Sequence, residues 1–391
     1  MTRKVVMCLG AAAAVFVILA KPPSATAQLQ APVAPLNRLF TLDTYTQYTL
    51  LDPATQQFRI EFRAEESRVG STYFDWIRFE SQLLTNAITG GSEGSDIEVY
   101  DPRTGKPLSF TYGGPSDNYY IRVTLPARVP EAGKGRVLIY KTFKDPRTYM
   151  MQGEDIVWTR NLIGYRLGVV LPQGFAFLSS NIAAQLTTQA DGRLKLAFAN
   201  PSGGQSNPVT IHARRTKASF APVKYSDVFF DDIKTLYDLD TPETRAIRVE
   251  QIYSDFRKGD TAKLDSLSYL PLQDLKVIDL DTAKALIPIK SGTATVVKLD
   301  VPIANDKQSA RIKITGMLKD AGYKVENGEL VFDRTMQGLR NTVLLPEGWE
   351  VATVSESGTI GMYRGRAFVA FINLSAANNY KVVIRARKRS A

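Results

Sequence analysis

The chain repeats itself, and that limits its fold more than any other feature. Asp155-Ile-Val-Trp-Thr-Arg160-Asn-Leu-Ile-Gly164-Tyr-Arg166 matches Glu329-Leu-Val-Phe-Asp-Arg334-Thr-Met-Gln-Gly338-Leu-Arg340, and a shift of 174 residues superposes them without a gap. The match runs on through Leu171-Pro172 and Gly174-Phe175 onto Leu345-Pro346 and Gly348-Trp349. Upstream, Arg136, Ile139 and Lys144-Asp145 fall on Arg311, Ile314 and Lys319-Asp320; further back, Tyr48, Pro53, Arg59 and Gly70 fall on Tyr237, Pro242, Arg248 and Gly259. So many glycine, proline and aromatic positions in order point to two diverged copies of one module of roughly 170 residues, far longer than the units of a solenoid. The expected organisation is a leader at 1–27, a linker at 28–40, a first repeat at 41–216, a second linker at 217–229 and a second repeat at 230–391.

Within each copy the hydrophobic period is two. Phe58-Arg-Ile-Glu-Phe-Arg63, Ile121-Arg-Val-Thr-Leu125 and Leu194-Lys-Leu-Ala-Phe198 alternate apolar with polar, as strands with one buried face do. Turn signals such as Asp101-Pro-Arg-Thr-Gly105, Pro172-Gln-Gly174 and Pro346-Glu-Gly348 separate them. The pattern predicts an all-β fold: a tandem duplication of an antiparallel β-sandwich module, each copy a larger plus a smaller sandwich. Arg311 to Asp320 reads on its own as helix or strand. Its counterpart, Arg136 to Asp145, is β-branched and aromatic, so both are assigned to strands. One short helix is expected over Asp227 to Leu236, where Phe229, Ile233 and Leu236 share a helical face.

The first residues read as an export signal. Arg3 and Lys4 precede an apolar run from Val5 to Ala20, and Ala25-Thr26-Ala27 offers the small-x-small pattern that signal peptidase accepts, so the mature chain is expected to start at Gln28. The apolar run is shorter than the ~20 residues that a membrane span needs. Cys8, the only cysteine, falls inside the leader, which leaves no disulfide, thiol nucleophile or lipid anchor in the processed product. With 44% hydrophobic residues the chain has apolar surface enough for folded cores. Removing Arg3, Lys4 and Lys21 leaves +7 of the formal +10, a scattered excess that gives no patch for nucleic acid and serves solubility. The expectation is a periplasmic or extracellular protein with no stable membrane span after leader removal.

Several chemistries are missing. His212 is the single histidine, so multi-imidazole zinc sites are excluded, and a Ser-His-Asp triad would have to use it. It falls opposite Arg385 of the second copy, which marks a wet strand position. There is no nucleophile elbow, phosphate loop or dinucleotide fingerprint. No cofactor and no metal are expected. The carboxylate groups Glu65-Glu66, Asp231-Asp232, Asp238/Asp240 and Asp279/Asp281 could serve a hydrolase on paper; they are read as solvated loop residues, with Asp101 and Asp279 as turn formers. The paired arginines Arg160/Arg334 and Arg166/Arg340 are read as structural.

Residues in one copy only are the better place to look for function. Thr72-Tyr-Phe-Asp-Trp-Ile-Arg-Phe79 has no aromatic counterpart near Ala262 to Asp265, so Tyr73, Trp76 and Phe79 are the candidate binding residues, with Tyr119-Tyr120 second. The alternative is that these rings fill the core. The run Leu51-Asp-Pro-Ala-Thr55, the Lys144-Asp-Pro146 turn, the Trp158-x-Arg160 strand and the Val-Leu-Pro-x-Gly turn together resemble a family of uncharacterised exported bacterial β-sandwich proteins. The opening strands are also loosely similar to the β-rich N-terminal domain of M1-type aminopeptidases, whose H-E-x-x-H zinc motif is absent here. Neither resemblance implies an activity. The leading expectation is a non-catalytic envelope or secreted module that binds or organises a protein or polymer. A carbohydrate-binding protein and a carboxylate-based hydrolase are the alternatives.

Overall fold

The computed structural model describes residues 44–77, 97–113, 120–162, 166–199, 207–220, 233–373 and 379–389. Among these are strands and two short 3₁₀ turns, and no α-helix. Three sheets make up the first half. The largest runs in the order Gln185–Thr188, Leu194–Ala199, Arg166–Val170, Tyr45–Leu50, Gln57–Glu66, Gly135–Lys144, Glu98–Tyr100. A four-stranded sheet follows the order Phe175–Ser180, Asn207–Arg215, Asp155–Leu162, Tyr149–Gln152, and a three-stranded sheet the order Tyr73–Ile77, Tyr120–Thr124, Phe110–Gly113.

The second half has the same three sheets. Its large sheet orders Thr359–Tyr363, Arg366–Ile372, Arg340–Leu344, Lys234–Leu239, Ala246–Asp255, Ala310–Lys319, Gln273–Asp279, plus the short strand Ala285–Leu286. Its four-stranded sheet is Trp349–Val354, Asn379–Lys388, Glu329–Gln337, Tyr323–Glu326, and its three-stranded sheet is Gly259–Lys263, Ala294–Ile303, Pro288–Ser291. The strand order of each sheet repeats that of its counterpart in the first half. Details repeat as well. The hydroxyl of Tyr149 donates to Leu51 O at 2.7 Å, and that of Tyr323 donates to Asp240 O, the matching carbonyl. Gly174 and Gly348, in the matched Pro-x-Gly turns, have φ of 75° and 78°, a region where a side chain would be strained.

Each half is two sandwiches that share one sheet. Along Gln57–Glu66, Phe58, Ile60, Phe62 and Ala64 point to one face by strand alternation. Phe58 and Ile60 pack on Trp158, Ile211 and Phe175 of the four-stranded sheet, whereas Phe62 and Ala64 pack with Ile121, Val123 and Trp76 of the three-stranded sheet. In Ala246–Asp255, Ile247 and Val249 join the first kind of core and Tyr253 the second. Trp158 and Phe332 occupy matched centres and are 0% and 1% exposed.

Two expectations change. The sheets are antiparallel except at one place in each half, where Tyr45–Leu50 pairs parallel with Arg166–Val170 and Lys234–Leu239 pairs parallel with Arg340–Leu344. A long connection through the four-stranded sheet's strands separates these partners in sequence, so nothing local dictates their direction. The helix expected up to Leu236 does not reach that residue. Lys234–Leu239 is a strand whose Thr235, Tyr237 and Leu239 are buried in alternation; Asp227 to Asp232 lie outside the described residues.

Candidate binding face

The three-stranded sheet of the first half carries the aromatic stretch, and alternation divides it. Phe74 stands opposite Val123 and Trp76 opposite Ile121, both of which are fully buried. Trp76 lies stacked on Phe62, with ring centroids 5.6 Å apart and planes 20° from parallel. Its indole therefore closes the rim of the core. Tyr73 and Asp75 point the other way, with Arg122 and Tyr120 from the neighbouring strand. Two residues of the expected set, three apart in a strand, cannot share a face. Phe79 and Tyr119 lie outside the described residues.

The outer face is a compact arrangement of rings and guanidinium groups. Arg122 donates from Nε and Nη2 to the two carboxylate oxygens of Asp75, both at 2.8 Å. That fork holds its guanidinium 4.1 Å from the centre of the Tyr73 ring and 5.5 Å from that of Tyr120. Arg68, bonded to Glu66 at 3.0 and 2.7 Å, lies 5.0 Å from the centre of the Tyr73 ring. Carboxylate hydrogen bonds fix both arginines, so the face is ordered before anything binds. The Arg122 side chain still exposes 43% of its surface. Such a face offers aromatic edges and fixed donors to a partner. Tyr120, the second candidate, is on this face; Arg68 and Arg122 were not singled out from the sequence, and the strict alternation of Ile121 to Leu125 was the signal that put Arg122 on the wet side.

The carboxylates divide as well. Asp101 and Asp279 are turn formers: each accepts the backbone N–H two residues on, from Arg103 at 2.9 Å and from Asp281 at 2.8 Å. Glu65 and Asp281, expected in solvated loops, are instead largely covered where the two halves meet, with 10% of each side chain exposed. Glu65 accepts from Arg311 Nε at 2.7 Å, and Asp281 takes the fork of Arg136, with Nη2 at 2.6 Å. Burial lifts the Asp281 carboxyl to about 6 against the pull of Arg136, and burial likewise raises Glu65 against the pull of Arg166 and Arg136. The cleft beside them, lined by Arg63, Glu65, Arg136, Arg166 and Arg311, has a volume of about 30 Å³, room for a water or so. It is a joint between halves, too small for a polymer. Asp238 accepts from Arg366 at 2.6 Å, and Asp231-Asp232 lie outside the described residues.

Arginine pairs behave alike in both halves. Arg160 faces Asp145 at 3.9 Å and lies 4.9 Å from the centre of the Phe58 ring; Arg334 bonds Asp320, the matching acid of the Lys-Asp turn. His212 sits between the buried Ile211 and Ala213, on the outward side of its strand. No group of three or more His, Cys, Asp or Glu among the described residues could hold a metal ion, and no helix among them is long and apolar enough to cross a membrane. The chain matches no family model, and no curated protein gives a significant match to it.

Proposed function

We propose that the protein is an exported, non-catalytic binding module that engages a protein partner through the outer face of its first three-stranded sheet. The reading rests on the leader-like residues 1–27 for export and, for binding, on one observation: the Asp75–Arg122 fork locks a guanidinium over Tyr73 on an outward-facing sheet. Tyrosine and arginine, held rigid and half-exposed, are the residue types that carry most binding energy at protein interfaces. A glycan is the poorer occupant. Sugars stack on open ring faces, and two guanidinium groups already lie over the Tyr73 ring.

A photo-reactive residue in place of Thr111, which is exposed and stands beside Arg122, tests this in producing cells. The same probe at Lys298, exposed on the second half's three-stranded sheet, is the control. A discrete protein adduct from position 111 that disappears with Tyr73→Ala is the expected result. Equal adducts from both positions, or one that persists without Tyr73, would overturn the reading; an adduct with saccharide would move it to the glycan class.

A further inference from the structure

The contact between the halves has a symmetry that neither half needs for its own core. Lys134 N donates to Leu280 O at 2.7 Å, and Ser309 N donates to Pro102 O at 2.8 Å. In the internal match Lys134 corresponds to Ser309 and Leu280 to Pro102, so each hydrogen bond is the mate of the other under a two-fold exchange of halves. The docking turns correspond too. Asp101 N bonds Lys106 O and Asp279 N bonds Lys284 O, both at 2.9 Å, and Gly105 and Ala283 carry φ of 68° and 59°. In the large sheets, Arg136 stands across from Glu65, and Arg311 across from Ser254. A contact in which i meets j and j meets i is what a closed homodimer has.

Charge breaks the symmetry. Arg311 takes Glu65, whose counterpart is Ser254; Arg136 takes Asp281, whose counterpart is Arg103. Each buried arginine thus depends on an acid that only the other half possesses. Arg103, the counterpart of Asp281, turns away from Arg311 towards Asp279 and Asp300, at 4.0 and 3.8 Å. We infer that this face is an internal dimer interface: it fits a second copy of the module, and two ion pairs across it hold the halves together. The inference is independent of the Tyr73 face.

The test uses the full chain with a site-specific protease sequence inserted between the exposed Ala218 and Ser219, cut after folding. The two fragments should stay together as one 1:1 species on size exclusion. Asp281→Arg should weaken their association by at least about tenfold, the usual scale for breaking a buried charge pair, and Arg136→Asp added to it should restore much of the loss. Lys134→Pro and Ser309→Pro, which delete the two mated donors, should weaken it by similar factors. Circular dichroism of each uncut variant checks that the halves remain folded; a variant that unfolds is replaced by Arg136→Gln or Asp281→Asn, for which the same weakening is expected. Separation of the unmutated fragments, an unaltered association in Asp281→Arg and Asp281→Asn, or an effect from only one of the two prolines would each overturn the inference.

Discussion

The two three-stranded sheets stand at matched places, and almost none of their side chains match. In the first half the sheet brings Phe74 and Trp76 to the core, and the large sheet beneath offers the small Ala64 and the ring of Phe62. In the second half the cover brings Ala262, and the large sheet beneath supplies Tyr253 where the first has Ala64. Bulk has moved across the same interface from one sheet to the other. Phe62 is answered by Gln251, 1% exposed, whose amide donates to Thr235 Oγ1 at 3.0 Å and to the Tyr269 hydroxyl at 3.3 Å. Cores conserve volume and satisfied polar groups before they conserve residue type. The outer faces carry no such constraint. The first has the ring-and-guanidinium lattice of Tyr73, Arg122 and Tyr120; the second exposes Thr261, Lys263 and Lys298. What differs on the outside while the inside compensates is where a function peculiar to one half belongs.

The hardest blow to the comparison would be struck at its matched centres. Trp158→Ala and Phe332→Ala should each cost about 3–5 kcal/mol, the range for large aromatic side chains removed from tight cores. Urea denaturation measures both. If one half tolerates the loss while the other collapses, the two cores are not equivalent. Next comes the division of the aromatic stretch. Trp76→Ala should cost about 3 kcal/mol, whereas Tyr73→Ala, on the outer face, should cost under about 1 kcal/mol. The reverse ranking would put Trp76 outside and return it to the binding face.

A smaller effect separates the joint from both cores. The Asp281 carboxyl sits near 6, raised from 3.8 by burial, so the folded protein holds this proton more tightly than the unfolded chain does. The group therefore opposes folding above pH 6, and that cost is relieved as pH falls from 6 towards 4. Glu65, also raised, acts in the same direction. Asp155 and Asp191 are lowered, chiefly by the hydrogen bond from Arg214 for the first and by those from Arg193, against burial, for the second. They act in the opposite direction, so the informative quantity is a difference. Comparing unfolding midpoints of the wild type and Asp281→Asn from pH 7 to pH 4, the gap should change by on the order of 2 kcal/mol, with the wild type gaining on acidification. A constant gap would mean that Arg136 keeps this carboxyl at its ordinary value.

Much of the scaffold was legible because strands write their burial at period two. Phe58 to Arg63 and Ile121 to Leu125 are strands of that kind, and the match between halves turned Arg311 to Asp320 from an ambiguous segment into one. The same period would have split Tyr73 from Trp76, had it been applied to their spacing of three. Two things were not legible. One was the parallel pairing of Tyr45–Leu50 with Arg166–Val170, whose partners lie far apart in the chain. The other was the covering of Glu65, on a strand's polar face, and of Asp281, in a turn, since such carboxylates look solvated until another half of the molecule covers them.

The smallest predicted effect concerns the lone histidine, and it tests whether the matched positions are interchangeable where no core constrains them. His212 and Arg385 stand at the same place on matched strands, each flanked by buried neighbours and each across from a valine, Val157 or Val331, that lies two residues from a matched acid. Arg385 reaches Glu329 at 3.4 Å, while His212 lowers the neighbouring Asp155 only by its charge, behind the direct fork of Arg214 at 2.6 and 2.8 Å. Installing the second half's residue by His212→Arg adds a second cation beside an acid that is already satisfied and well solvated. Exposed ion pairs of this kind are worth little, so the melting free energy should change by less than about 0.5 kcal/mol. Binding at the Tyr73 face, read as the position-111 adduct, should be unaltered. A loss of binding, or of any activity later found, would give the histidine a chemical role that its counterpart cannot supply, and the equivalence of the two halves would end at that strand.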